Sequence, residues 1–276
     1  MTNILNGASR VRDNDRPFNA RKALRQLVAV GLRNEVNRID WVRQTLQRVP
    51  AHARILDAGC GEQQYRKFCS HLVYIGQDFA KFDGLGDDRG LQRHMERPAL
   101  DITSDIASIP EPDGSFDAIL CTEVFEHIPD PIAALREFSR LLKPGGQLIL
   151  TAPFCSLSHY TPYHFCTGFN RYWYEHHLGE FGFAGLEVTE NGNYFEFIAQ
   201  ELWRIPAVVK KARMPAGCRL VANALAVFAL PLLGALGFLS WRGQKSADLL
   251  CFGYHVFARR VRKSEDGLAK EDGSAE

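Results

Sequence analysis

No two of the seven cysteines are spaced C-x-x-C, and their number is odd. That pattern excludes a disulfide framework and a structural zinc ribbon, and it fits a reducing compartment. Charge of one sign is also lacking. The net charge is +1 at pH 7 with both signs interspersed, so there is no global electrostatic case for a nucleic-acid partner and none is expected. Residues 1–16 have no apolar core behind a basic region, so a secretory signal is not expected there. A fourth absence is an Asn/Asp-Pro-Pro-Tyr/Phe tetrad, so the chemistry at exocyclic base nitrogens that such a tetrad serves is not expected.

What is present is apolar side chains at 46% over 276 residues, enough for a sizeable core in one elaborated domain or two small ones. The organising stretch is Arg54-Ile-Leu-Asp-Ala-Gly-Cys-Gly-Glu-Gln-Gln-Tyr65. Ile55 and Leu56 read as a short buried strand, Asp57 to Gly61 as a tight turn, and Gln63 to Ser70 as helix. Glycine suits such a turn because the backbone bends sharply and a ligand can touch it with no Cβ in the way. Amides at a following helix start can meet a polar ligand group. Leu72 to Gly76 is a second apolar run, and Asp78 lies just past it. An acid about 20 residues beyond the glycine turn of a βαβ unit reaches ribose hydroxyls. A loop-starting Asp is the plain alternative. The dinucleotide fingerprint Gly-x-Gly-x-x-Gly fails here, because Gln64 stands at its last glycine.

Further motifs follow in order. They are Asp105-Ile-Ala-Ser-Ile-Pro110, Ser115-Phe-Asp-Ala-Ile-Leu-Cys121, Glu126-His-Ile-Pro-Asp-Pro131 and Arg140-Leu-Leu-Lys-Pro-Gly-Gly146. As a set, over 53–153, they resemble the class I S-adenosylmethionine-dependent methyltransferases. The resemblance departs at Gln63, where many members carry a third glycine. It implies an α/β fold: a Rossmann-like, mostly parallel seven-stranded sheet with helices on both faces and an antiparallel last strand. It implies S-adenosyl-L-methionine as cofactor and a small-molecule acceptor as substrate. The cofactor-binding residues expected from it are Asp57, Gly59, Cys60, Gly61, Tyr65, Asp78, Phe79, Asp105, Ile106, Thr122 and Glu123. Asp105 would take the adenine amino group with Ile106 near the ring; a helix cap is the alternative role for Asp105.

The expected organisation is a mobile arm at 1–20, a domain at 21–262, an apolar helical insertion at about 215–245, and a disordered tail at 263–276. Residues 21–49 read as helix broken near Gly31, with Ile39, Val42, Leu46 and Val49 on one face. Residues 79–98 read as a surface loop, and 99–102 as the third strand. Phe116 to Cys121 reads as the fourth strand, with Thr122, Glu123 and Val124 at the end where open α/β sheets place ligands. Asp130 and Pro131 open a helix whose inner face is Ile132, Leu135, Phe138 and Leu142 and whose outer face is Arg136, Glu137 and Arg140. Residues 144–146 turn the chain into a fifth strand at 147–151. Residues 186–189 read as a sixth strand, 194–211 as helix, and 253–260 as the last strand.

Methyl transfer is an in-line displacement that needs alignment, and a hydroxyl acceptor also needs its proton removed, for which His is the usual base. The catalytic candidates are His127, beside the cofactor, and His159 and His164, in an aromatic stretch that reads as a substrate lid. No carboxylate or close cysteine pair completes a ligand set around those two, so no metal is expected. A non-catalytic module that binds the same cofactor is the competing function.

Residues 220–241 carry only Asn223 and Ser240 as polar side chains, with Lys210, Lys211, Arg213 and Arg219 before them and Arg242 and Lys245 after. The run is long enough to span a bilayer, but Pro231 interrupts it and the following strand must return to the sheet. A helical hairpin is expected, dipping into the membrane interface or capping an apolar pocket, against a buried pair or dimer contact as the alternative. The expected location is cytoplasmic, with peripheral contact at the inner face of the membrane and an apolar or lipid-linked acceptor. The sequence says nothing of oligomeric state.

Overall fold

A computed structural model of the chain describes residues 29–82, 90–91 and 98–261. The arm and tail expected at 1–20 and 263–276, and most of the loop expected at 79–98, lie outside them.

The apolar runs that alternate with amphipathic stretches build one sheet with seven strands. They are β1 (Arg54–Ala58), β2 (Val73–Asp78), β3 (Ile102–Thr103), β4 (Phe116–Thr122), β5 (Leu142–Pro153), β6 (Phe183–Asn191) and β7 (Gly253–Arg260), in the spatial order β3-β2-β1-β4-β5-β7-β6. The pairs from β3 to β5 are parallel, and β7 runs antiparallel between β5 and β6. The order reverses between β1 and β4, which puts the topological switch point at the carboxyl ends of those two strands.

Both faces are covered, as near-continuous apolar strands require. Helix α1 (Asn34–Leu46) lays Val42 and Leu46 on one face with Ile55, Tyr65, Leu120 and Phe257. Helices α2 (Pro131–Leu141) and α3 (Arg171–Glu180) cover the other, where Leu135, Phe138 and Tyr174 meet Leu56, Ile119 and Leu150. The Asp130 side chain caps α2 by accepting from the Ala133 N–H at 2.9 Å, with Pro131 at its first position; such a cap is worth about 1 kcal/mol.

Several sequence expectations are corrected. The helix expected at 63–70 is a string of turns with a single 3-10 turn at Arg66–Phe68. Gln63 adopts φ +54, in the left-handed region, which breaks the helical path. The third strand is two residues long and begins at Ile102 rather than at residue 99. Glu137, expected on the outer face of α2, is buried because it accepts from the Ile109 N–H at 2.7 Å and pairs with Arg140 at 2.7 Å. Residues 144–146 belong to β5 instead of preceding it.

Helix α4 (Tyr194–Lys211) leaves the carboxyl edge of the sheet and carries α5 (Ala216–Phe228) and α6 (Leu230–Arg242). The last two meet at a bend of 48°. They pack chiefly on α4 and little on each other, so the expected hairpin is a bent pair lying across one supporting helix. Proline at the first turn of α6 lacks the N–H that would continue α5.

Candidate active site

The glycine turn is strapped to the end of β2. Gly59 has φ +71, and a Cβ on it would stand 2.7 Å from Val124 Cγ2, so only glycine fits. The Gly59 N–H donates to the Gln77 side chain at 3.2 Å and the Cys60 N–H to the Gln77 carbonyl at 2.9 Å. The Gly61 N–H donates to Asp78 Oδ2 at 3.1 Å, while Asp78 Oδ1 accepts from the Ala80 N–H at 2.8 Å. Both Asp78 oxygens are thus oriented by backbone, with lone pairs left for a vicinal diol.

A cleft of about 310 Å³ opens beside this turn. Of the residues expected from sequence, Gly59, Gly61, Asp78, Phe79, Asp105, Ile106 and Glu123 line it. Asp57, Cys60, Tyr65 and Thr122 do not. Asp57 is buried under the turn, where Tyr74 donates to its carboxylate at 2.6 Å. Burial pushes its carboxyl up to about 7 against that hydrogen bond, with the Asp78 charge adding to the rise. Tyr65 is a core residue beneath α1. Asp105 Oδ1 accepts from the Ala107 N–H at 2.9 Å, a local turn of the kind Asp favours, and still reaches the cleft wall.

Glu123 closes β4 at φ +53, a left-handed conformation that a non-glycine residue holds only when its surroundings enforce it. The enforcing contacts are the Thr151 hydroxyl at 2.9 Å and Arg38 of α1 at 2.9 Å. The sequence reading missed Gln77, Lys81 and Ile128 in the wall, while Val124, placed at the ligand end of β4, does line it. Gln77 carried a signal, as a polar residue inside an apolar strand next to the acid.

The aromatic stretch forms one side of the cleft through Tyr160, Tyr163 and Phe165. Tyr163 meets Phe79 edge-on at 5.0 Å, and Tyr160 meets Phe82 at 5.2 Å. A lid expected from composition therefore rests on the segment after β2.

His127 is the one candidate histidine that lines the cleft; His159 and His164 stand behind it, with ring centroids 4.6 Å from His127 to His159 and 5.0 Å from His159 to His164. Tyr163 O accepts from His127 Nδ1 at 2.6 Å, and His127 Nε2 is buried with no hydrogen-bond partner. Burial, then the neighbouring His159, pushes His127 down to about 3. Burial also lowers His159 and His164. Glu126, read from the sequence only as part of a loop motif, stands 4.0 Å from His159 Nε2. The carboxylate that the sequence reading did not find beside the lid histidines is thus supplied by the β4 loop.

The residues around the cleft fit S-adenosylmethionine: a turn that meets the cleft with two glycines, Gly59 and Gly61, a backbone-anchored acid at the end of β2, and Asp105 with Ile106 beyond it. The family model described as a methyltransferase domain matches residues 31–202. A ubiquinone biosynthesis O-methyltransferase of Xanthomonas oryzae pv. oryzae is 36% identical over 121 residues, covering 41% of this chain and 48% of that protein. One from Xanthomonas campestris pv. campestris is 35% identical over 104 residues, 36% of this chain and 42% of that protein. The match spans about half the length of these curated relatives. Among solved structures, a SAM-dependent methyltransferase from Archaeoglobus fulgidus has TM-score 0.48 and 16% identity, covering 80% of this chain and 94% of that one. A phosphoethanolamine N-methyltransferase from Haemonchus contortus, solved with S-adenosyl-L-methionine, has TM-score 0.43 and 18% identity, covering 79% of this chain and 51% of that one.

Proposed function

The chain belongs to the methyltransferase-domain family, and from that membership we propose that it transfers a methyl group from S-adenosylmethionine to a small-molecule acceptor, apolar or lipid-linked. The observation that carries this is the cleft, which brings Gly59, Gly61, Asp78 and Asp105 together with Tyr160, Tyr163 and Phe165. The cofactor supplies an electrophilic methyl on a sulfonium. Asp78 binds the ribose diol and Asp105 with Ile106 the adenine. The aromatic side chains exclude water and hold an apolar acceptor against the methyl, and alignment of this kind supplies much of the rate.

Calorimetry with S-adenosylhomocysteine tests the cofactor half, and labelled cofactor incubated with lipid and metabolite extracts tests transfer. No binding at millimolar ligand would reject the reading. A second reading is a non-catalytic module that binds the cofactor. It is favoured by His127, which lines the cleft with Nδ1 engaged and Nε2 buried, so neither nitrogen is offered to an acceptor. Methyl incorporation into any extract component decides between the two.

We also propose that 220–241 contacts a membrane surface from the cytoplasmic side. Leu220, Phe228, Leu230 and Leu232 are exposed, Phe228 by 80%. From residue 202 to 247 the chain has seven basic residues and no acidic one. Exposed apolar side chains flanked by Lys and Arg fit the interface of an anionic bilayer. No single helix among the described residues is long and apolar enough to cross a membrane, while α5 and α6 together pass by length and composition.

A further inference from the structure

Away from the cleft, a second cavity of about 300 Å³ is lined by Pro206, Ala207 and Lys210 of α4 and by Arg219 and Asn223 of α5. Helix α5 is otherwise almost wholly apolar. Across Ala216–Phe228, Arg219 and Asn223 are, with Cys218, the only side chains that are not aliphatic, aromatic or absent. They stand four residues apart and so share one face of the helix. That face and Lys210 line the same cavity.

The two cations there are uncompensated. Arg219 Nε donates to the Met214 carbonyl at 3.1 Å, which fixes the guanidinium and leaves its two terminal nitrogens free. Neither Lys210 nor Arg219 has an acidic partner among the described residues. A held guanidinium fork beside an ammonium suits the oxygens of a phosphate, and the Asn223 amide adds two more N–H donors.

The neighbouring face of α5 says what such a phosphate is attached to. Val221, Leu225 and Phe228 recur at helical spacing and are all exposed. A ligand whose phosphate occupies the cavity has its remainder beside that apolar stripe. Acyl chains would cover the stripe; a nucleic acid would lay sugars and bases on Val and Leu, and free phosphate would leave the stripe bare.

We propose that the cavity between α4 and α5 binds the phosphate of one anionic phospholipid, its acyl chains lying along Val221, Leu225 and Phe228. The proposal rests on the membrane reading of 220–241 and goes beyond it: attachment is to one headgroup at one built site, rather than to charge and apolar area alone.

The test separates the two. Full-length protein is titrated with phosphatidylcholine vesicles containing phosphatidylglycerol. Lys210→Gln with Arg219→Gln should weaken binding by about tenfold more than Arg242→Gln with Lys245→Gln, which removes the same charge from the far end of α6. Asn223→Leu enlarges the apolar face, so it should strengthen a purely apolar contact, whereas a phosphate site predicts severalfold weaker binding. The unmutated protein, which needs no variant to fold, should bind one dihexanoyl phosphatidylglycerol per chain in calorimetry below the micelle concentration. Inorganic phosphate and a single-stranded oligonucleotide should bind far more weakly. Equal losses in the two double variants, or tighter binding by Asn223→Leu, would overturn the phosphate site while leaving the membrane contact standing. Phosphate or oligonucleotide binding as tightly as the lipid would overturn the lipid assignment. Failure of the unmutated protein to bind any vesicle would overturn both readings together.

Discussion

Gly61 donates its backbone N–H to the carboxylate of Asp78 across 3.1 Å. The turn and the acid that the sequence presents as separate motifs are one hydrogen-bonded unit before any ligand arrives. Pre-orientation of that kind lowers the cost of binding.

Replacing Asp78 by Asn keeps the shape and an acceptor for Gly61 but removes the charge that a diol would meet. Affinity for S-adenosylhomocysteine should fall by about 1.5–3 kcal/mol, the scale of hydrogen bonds to charged groups. Calorimetry measures it. An unchanged dissociation constant would take Asp78 out of the site.

Gln63 holds φ +54 and uses its side chain, donating to the Ala99 carbonyl at 2.8 Å and accepting from Arg66 at 2.8 Å. Gln63→Ala loses both bonds and keeps the strained backbone, so it should cost about 1–3 kcal/mol. Gln63→Gly loses the same bonds but relaxes the backbone, and it should be the more stable of the two variants by about 1 kcal/mol. Urea midpoints that rank Ala above Gly would contradict this account of the turn.

His255 is buried and stacked on Trp41 at 4.9 Å, and burial, then the Arg38 charge, pushes it from 6.5 to about 3. Its folded-state pKa is depressed, so its contribution to stability is present above 6.5 and lost as pH falls toward 3. The unfolded chain takes the proton first. Asp57, raised to about 7, works the other way, its contribution present at low pH and lost as pH rises through 7. Comparing the protein with His255→Phe cancels the Asp57 effect. Between pH 6.5 and 4 the unmutated protein should lose stability relative to the variant, by at most about 1.4 kcal/mol per pH unit. Parallel melting curves over that range would mean that His255 is not held neutral.

Full-length protein should float with anionic liposomes and less with neutral ones, because the apolar face of α5 and α6 is flanked by Lys210, Lys211, Arg213, Arg219, Arg242 and Lys245. A chain with 220–241 replaced by a short polar loop should stay at the bottom of the gradient. Flotation of both, or of neither, removes the membrane contact.

Strands β4 and β7 and helix α4 were legible because hydrophobic period and flanking turn residues agree there: Tyr194–Lys211 and Gly253–Arg260 fall where the pattern puts them. The stretch after the glycine turn was misread because composition favours helix while the backbone at Gln63 is left-handed, a property no helix propensity reports. Glu137 was misassigned because the donor it serves, the Ile109 amide, comes from a distant loop. The meeting of Glu126 with His159 was invisible for the same reason. It is made by the lid folding back, with the Phe165 N–H donating to the Glu126 carbonyl at 2.8 Å. Motif residues could be located from sequence, but which of them face the cleft could not: Asp57 and Tyr65 belong to the same motif as Gly59 and point into the core.

Asn191 and Gly253 are register partners in β6 and β7. Everything between them leaves the sheet and re-enters it at neighbouring points on one edge. A segment rooted this way can be lengthened, shortened or exchanged without moving a strand, since no pairing in the sheet depends on what lies between its ends. The same edge carries the carboxyl ends of β1 and β4, where the cleft opens. The chain therefore carries its cleft and the exposed apolar face of α5 and α6 as separate parts on a common rim, and a change in that face need not disturb the cleft.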